Sequence, residues 1–100
     1  MKVGCCQVRF YLHGNNSLKG KRKVVLSMKD RVRNKFNVSI SEVGDQDSWQ
    51  NIQLGLAAVG PDAPYLDGLL KQAVDFLENL HLAELTDCKF ELVHVGHEHE

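Results

Sequence analysis

Two different periodicities follow one another along this 100-residue chain, and their order restricts the folds it can reach. Residues 3–12 repeat with period two: Cys6, Val8, Phe10 and Leu12 share one parity, and Gln7, Arg9 and Tyr11 share the other. Side chains alternate faces in an extended chain, so this is a strand with one buried side. His13-Gly14-Asn15-Asn16 predicts a turn, being rich in residues that tolerate positive φ. Ser17 is a suitable N-cap for a helix over residues 18–34. There Leu18, Val25, Met28, Val32 and Phe36 fall within an arc of about 80° at 100° per residue. Period two returns in residues 37–43, where Val38 and Ile40 oppose Ser39 and Ser41. It returns again in residues 49–59, with Ile52, Leu54, Leu56 and Ala58 as the buried set and Asn51, Gln53 and Gly55 on the other face. A second helix follows, with Asp62 as cap and Pro64 in its first turn. Its apolar face is Leu66, Leu69, Leu70, Ala73, Val74, Leu77 and Leu80. A last strand over residues 85–95 sets Cys88, Phe90 and Leu92 against Lys89 and Glu91.

The order is β-α-β-β-α-β. Strands that alternate cleanly bury one face only, so both helices belong on the same side of the sheet. Right-handed crossovers then give an α+β, ferredoxin-like sandwich: a four-stranded antiparallel sheet with two helices on one face. The first and third strands are expected at the centre and the second and fourth at the edges. Phe10, Leu54 and Phe90 are expected deep in the core. Trp49, a large ring at the start of the third strand, is expected to plug the end of that core. One domain over residues 1–95 accounts for the pattern, followed by a His- and Glu-rich tail at 96–100.

Charge is distributed unevenly. Residues 17–36 hold eight bases (Lys19, Lys21, Arg22, Lys23, Lys29, Arg31, Arg33 and Lys35) and one acid, Asp30, a net of +7. The chain as a whole carries −1, which leaves −8 elsewhere. Arg22, Lys29 and Arg33, with Leu26 among them, form a stripe beside the apolar face of the first helix. A polyphosphate backbone is held by cations spaced along it, with arginine adding two-pronged geometry. Lys19, Arg22, Lys23, Lys29 and Arg33, with Ser17 at the helix start, are therefore the candidate phosphate-binding set. The plainer alternative is a solvated helix face. No apolar run is long enough to span a bilayer. The first residues lack an export signal, and three cysteines do not make a disulfide framework; a cytoplasmic protein with reduced thiols is expected.

The stretches Ser17-Leu18-Lys19-Gly20-Lys21-Arg22, Asn34-Lys35-Phe36-Asn37-Val38-Ser39-Ile40-Ser41-Glu42-Val43 and Trp49-Gln50 resemble one family closely, the bacterial YlxP-like family, a domain family of unknown function. The resemblance covers residues 3–95, nearly the whole chain. It implies a ferredoxin-like fold with no established enzyme activity and no assigned catalytic residues. It also implies an association with RNA or the ribosome, because genes of the family lie among those for translation and ribosome maturation.

Other chemistries fit less well. The basic-Gly-aromatic signature of base-stacking sheets is absent, which favours structured RNA held by its phosphates over sequence-specific reading. Ferredoxin-like acylphosphatases end a Gly-rich loop in Phe-Arg after the first strand; residues 13–17 read His-Gly-Asn-Asn-Ser, and no catalysis is expected. A phosphate-ester hydrolase is the remote enzymatic alternative. Adjacent Cys5 and Cys6 point to opposite faces of a strand and do not converge on a metal. His94, His97 and His99 are weak metal candidates at a terminus, and no cofactor is expected. The expected activity is non-catalytic binding of structured RNA or the ribosome through the basic first helix. The competing expectation is a protein-interaction or self-associating homodimer module that uses the sheet face or an edge strand.

Overall fold

The computed structural model describes residues 1–96. Its elements are β1 (Lys2–Tyr11), α1 (Leu18–Lys35), β2 (Ser39–Gly44), β3 (Asn51–Gly60), α2 (Ala63–Asn79) and β4 (Glu84–His94). The sheet order is β2-β3-β1-β4 and every pairing is antiparallel. This is the ferredoxin-like arrangement expected from the alternation, with β1 and β3 central.

Both helix starts form as their sequences dictate. The Ser17 hydroxyl accepts from the Gly20 amide at 3.0 Å, and the Asp62 carboxylate accepts from the Tyr65 amide at 2.9 Å. Each satisfies an amide that the first turn leaves unpaired. Gly14 takes φ +74° in the turn after β1, where a Cβ would be strained.

The even-numbered residues of β1 and β3 make the floor of the core. Val8, Phe10, Ile52, Leu54 and Leu56 are buried beneath Val25, Met28 and Val32 of α1 and Leu66, Leu70, Ala73 and Leu77 of α2. Gly4 lets α2 settle on β1. A Cβ there would stand 3.0 Å from Leu70 Cδ1 and 3.1 Å from Leu66 Cβ. The opposite face of the sheet is uncovered and shows Gln7, Arg9, Tyr11, Asn51, Gln53 and Gly55, as the parity predicts.

Two expectations fail. Phe90 is 42% exposed. Its parity is right, since it pairs with buried Cys6, but β4 is an edge strand and α2 lies over β1 and β3 without covering it. Trp49 is 47% exposed and precedes β3 in the turn, so it does not plug the core. Leu54→Ala and Phe10→Ala are expected to cost roughly 2–5 kcal/mol each. Phe90→Ala should cost the monomer about 1 kcal/mol or less, because much of that ring is already in water. Urea midpoints measured on dilute protein check the ranking.

Candidate functional site

Among the eight bases of residues 17–36, the structure separates those that hold the fold from those that face outward. Lys21 is 1% exposed. Its ammonium lies 2.9 Å from Glu42 Oε2 on β2 and donates to the carbonyl of Asp45 in the β2–β3 turn. Asp45 adopts φ +54°, and its carbonyl also accepts from the Ser48 amide. Lys21 thus ties the first turns of α1 to a strained hairpin turn. Arg33 Nη2 donates to the Ile40 carbonyl at 2.9 Å, which anchors the other end of α1 to β2, although the side chain stays half exposed. The Lys35 ammonium lies 4.8 Å from the Phe76 ring centre and 5.8 Å from that of Phe36. Both distances are within cation–π range.

Lys19, Arg22 and Lys23 are exposed and Lys29 is half-buried; among the described residues none of the four makes an ion pair or a side-chain hydrogen bond. With Arg33 they occupy one flank of α1 over residues 19–33, about 21 Å at 1.5 Å per residue. Leu26, 54% exposed, sits in the same flank. The structure therefore brings together the five basic candidates predicted from sequence. Ser17 is nearby but engaged in capping. Asn15 also folds over the helix start: its Nδ2 donates to the carbonyls of Ser17 and Trp49, both at 2.7 Å. That bond places the backbone of exposed Trp49 beside the N-terminal end of α1. Tyr11 and His13 stack edge-to-face at 4.7 Å at the same end of β1, and His13 Nε2 lies 2.7 Å from Glu84 Oε1.

Two of the three thiols, Cys6 and Cys88, offer no ready nucleophile. Burial pushes the Cys6 thiol up to about 12. Burial also raises Cys88, helped by the carboxylates of Asp87 and Asp75. Both stay protonated at neutral pH, and a thiol is a far weaker nucleophile than its thiolate. Among the described residues no three His, Cys, Asp or Glu side chains gather as a metal site, and no helix is long and apolar enough to cross a membrane. His94 ends β4; His97 and His99 lie outside the described residues.

Residues 3–90 match the family described as protein of unknown function, DUF503. The chain belongs to the DUF503 family. The uncharacterized protein YlxP of Bacillus subtilis (strain 168) is 36% identical over 89 residues, covering 89% of this chain and 97% of YlxP. The resemblance read from the motifs at residues 17–22 and 34–43 is thereby confirmed. A crystal structure of SnoaB, a cofactor-independent oxygenase from Streptomyces nogalater, aligns with a TM-score of 0.49 at 12% identity, covering 94% of this chain and 92% of that one. A likeness that distant says nothing about the chemistry of this DUF503 member. The matched DUF503 segment contains the whole basic flank of α1 and most of β4.

Proposed function

We propose that the chain is a non-catalytic binding module that grips structured RNA, free or in the ribosome, by its phosphates. One observation carries this reading: among the described residues Lys19, Arg22, Lys23 and Lys29 make no ion pair along one flank of α1, while the rest of the chain is strongly acidic. Cations on a protein surface that neutralise RNA phosphates release the counterions condensed on the RNA, and this release drives association. Contacts made to phosphates position RNA without specifying its sequence. Exposed Trp49 beside the N-terminal end of α1 supplies a stacking surface for one unpaired base.

The only tryptophan in the chain is Trp49, so its fluorescence reports binding directly. Titration of the protein with a structured ribosomal RNA fragment should quench it. Phosphate contacts from Lys19, Arg22, Lys23, Lys29 and Arg33 predict that log K falls against log salt with a slope of about −4. Lys19→Ala, Arg22→Ala and Lys23→Ala should each reduce that slope by about one and weaken binding evenly across RNA sequences. Charge changes at Asp75 or Glu78 on α2 should leave it alone. A wild-type slope near zero would remove the phosphate reading.

A further inference from the structure

The two edges of the sheet are built differently. β2 is six residues long and loses register between Glu42 and Gly44, and α1 packs beside it. β4 is eleven residues long, its irregularity lies near its start, opposite Arg9 and Phe10, and among the described residues its outer side has no partner. Its helix-side residues Phe90 and Leu92 are 42% and 46% exposed, and with Gly4, Ala63, Leu66 and Leu70 they line an apolar groove at the margin of α2. A long edge strand with an apolar helix-side face is a template for another strand.

The charges on β4 indicate which strand. In an antiparallel pair of identical strands the outward-pointing residues have one parity, so each possible register is centred on a single residue. In the regular part of β4 the open-face charges are Asp87, Lys89 and Glu91. Centring on Lys89 sets Lys89 against Lys89 and Asp87 against Glu91. Centring on Glu91 sets Glu91 against itself. Centring on Cys88 runs the pair across the irregularity at Thr86. Centring on Phe90 places Lys89 opposite Glu91 of the second copy, twice by symmetry. It also stacks Phe90 on Phe90 and Cys88 on Leu92, all within the regular part of the strand. Opposite charges facing across strands stabilise a pair, and like charges oppose it.

We infer that β4 pairs antiparallel with β4 of a second copy, in the register centred on Phe90, to give a symmetric dimer with a continuous eight-stranded sheet. Both sets of helices then lie on the same face, and Phe90 and Leu92 of the two copies cover one another. The interface lies on the edge opposite α1, so it neither requires nor excludes the RNA reading.

Sedimentation equilibrium on nucleic-acid-free protein, across micromolar to sub-millimolar concentrations, tests this. The expected result is a mass approaching twice the 11.3 kDa of the chain. Lys89→Glu and Glu91→Lys should each shift the protein toward monomer, because each sets like charges opposite one another. The double variant Lys89→Glu/Glu91→Lys should restore the dimer, since the exchanged charges again face opposites in this register. Phe90→Lys should give monomer, with circular dichroism verifying the fold. A wild type that stays monomeric throughout overturns the inference. So does a dimer that ignores both single reversals, or a double variant that is no better than the singles.

Discussion

Lys21→Ala should destabilise the domain by about 3 kcal/mol, read as a fall in the urea midpoint. The magnitude follows from what is left behind. Glu42 Oε2 is buried and has no well-aligned hydrogen bond; its close polar neighbour is the Lys21 ammonium. Removing one member of a buried pair strands the other charge, at roughly 3–5 kcal/mol. The lower end applies because the Glu42 side chain retains 19% of its exposure and can recruit water. The Asp45 carbonyl loses a donor as well, and with it a restraint on its left-handed backbone. Lys21→Met/Glu42→Leu should recover most of the loss, since replacing a whole buried pair by apolar groups is often neutral. A Lys21→Ala cost near 0.5 kcal/mol, the range of an exposed pair, would contradict the role assigned to this lysine.

Reversing the outward flank should do the opposite: leave the fold and remove the binding. Arg22→Glu/Lys23→Glu/Lys29→Glu alters three side chains that make no ion pair among the described residues, and spares the bond from Arg33 to the Ile40 carbonyl. Each lost phosphate contact is worth on the order of 1 kcal/mol, and each new carboxylate repels phosphate. RNA affinity should therefore fall at least about 100-fold at low salt, with an unchanged circular dichroism spectrum. A reversed protein that binds RNA as well as the wild type would mean that α1 is only a solvated face.

The contrast between Lys21 and Arg22 shows what the sequence revealed and what it hid. Lys21, Val25, Met28 and Val32 are spaced i, i+4, i+7 and i+11, the spacing of one buried helix face. That spacing could have singled out Lys21 as internal, but its partners Glu42 and Asp45 become visible only once β2 lies beside α1. Strand parity placed Phe10, Leu54 and Phe90 on the correct face. It could not give the depth of Phe90, because that depends on how far α2 overhangs an edge strand. Trp49 was misjudged for a related reason: its size suggested burial, whereas the bond from Asn15 to its carbonyl holds it in the turn. The flank of α1 was legible because helical angle alone groups Lys19, Arg22, Lys23, Lys29 and Arg33. That Lys19, Arg22, Lys23 and Lys29 make no ion pair among the described residues was not legible, since that depends on where the acids outside the segment come to rest; Arg33 does meet an acid, Asp30 one helical turn back at 3.8 Å.

Co-sedimentation with ribosomal particles tests the phosphate-gripping account most directly. At roughly 50 mM salt the wild type should pellet with the particles, and at roughly 200 mM it should be largely released, as counterion competition requires. The Arg22→Glu/Lys23→Glu/Lys29→Glu variant should remain in the supernatant at both. A wild type that stays in the supernatant at low salt, or a reversed variant that pellets alongside it, would contradict the account.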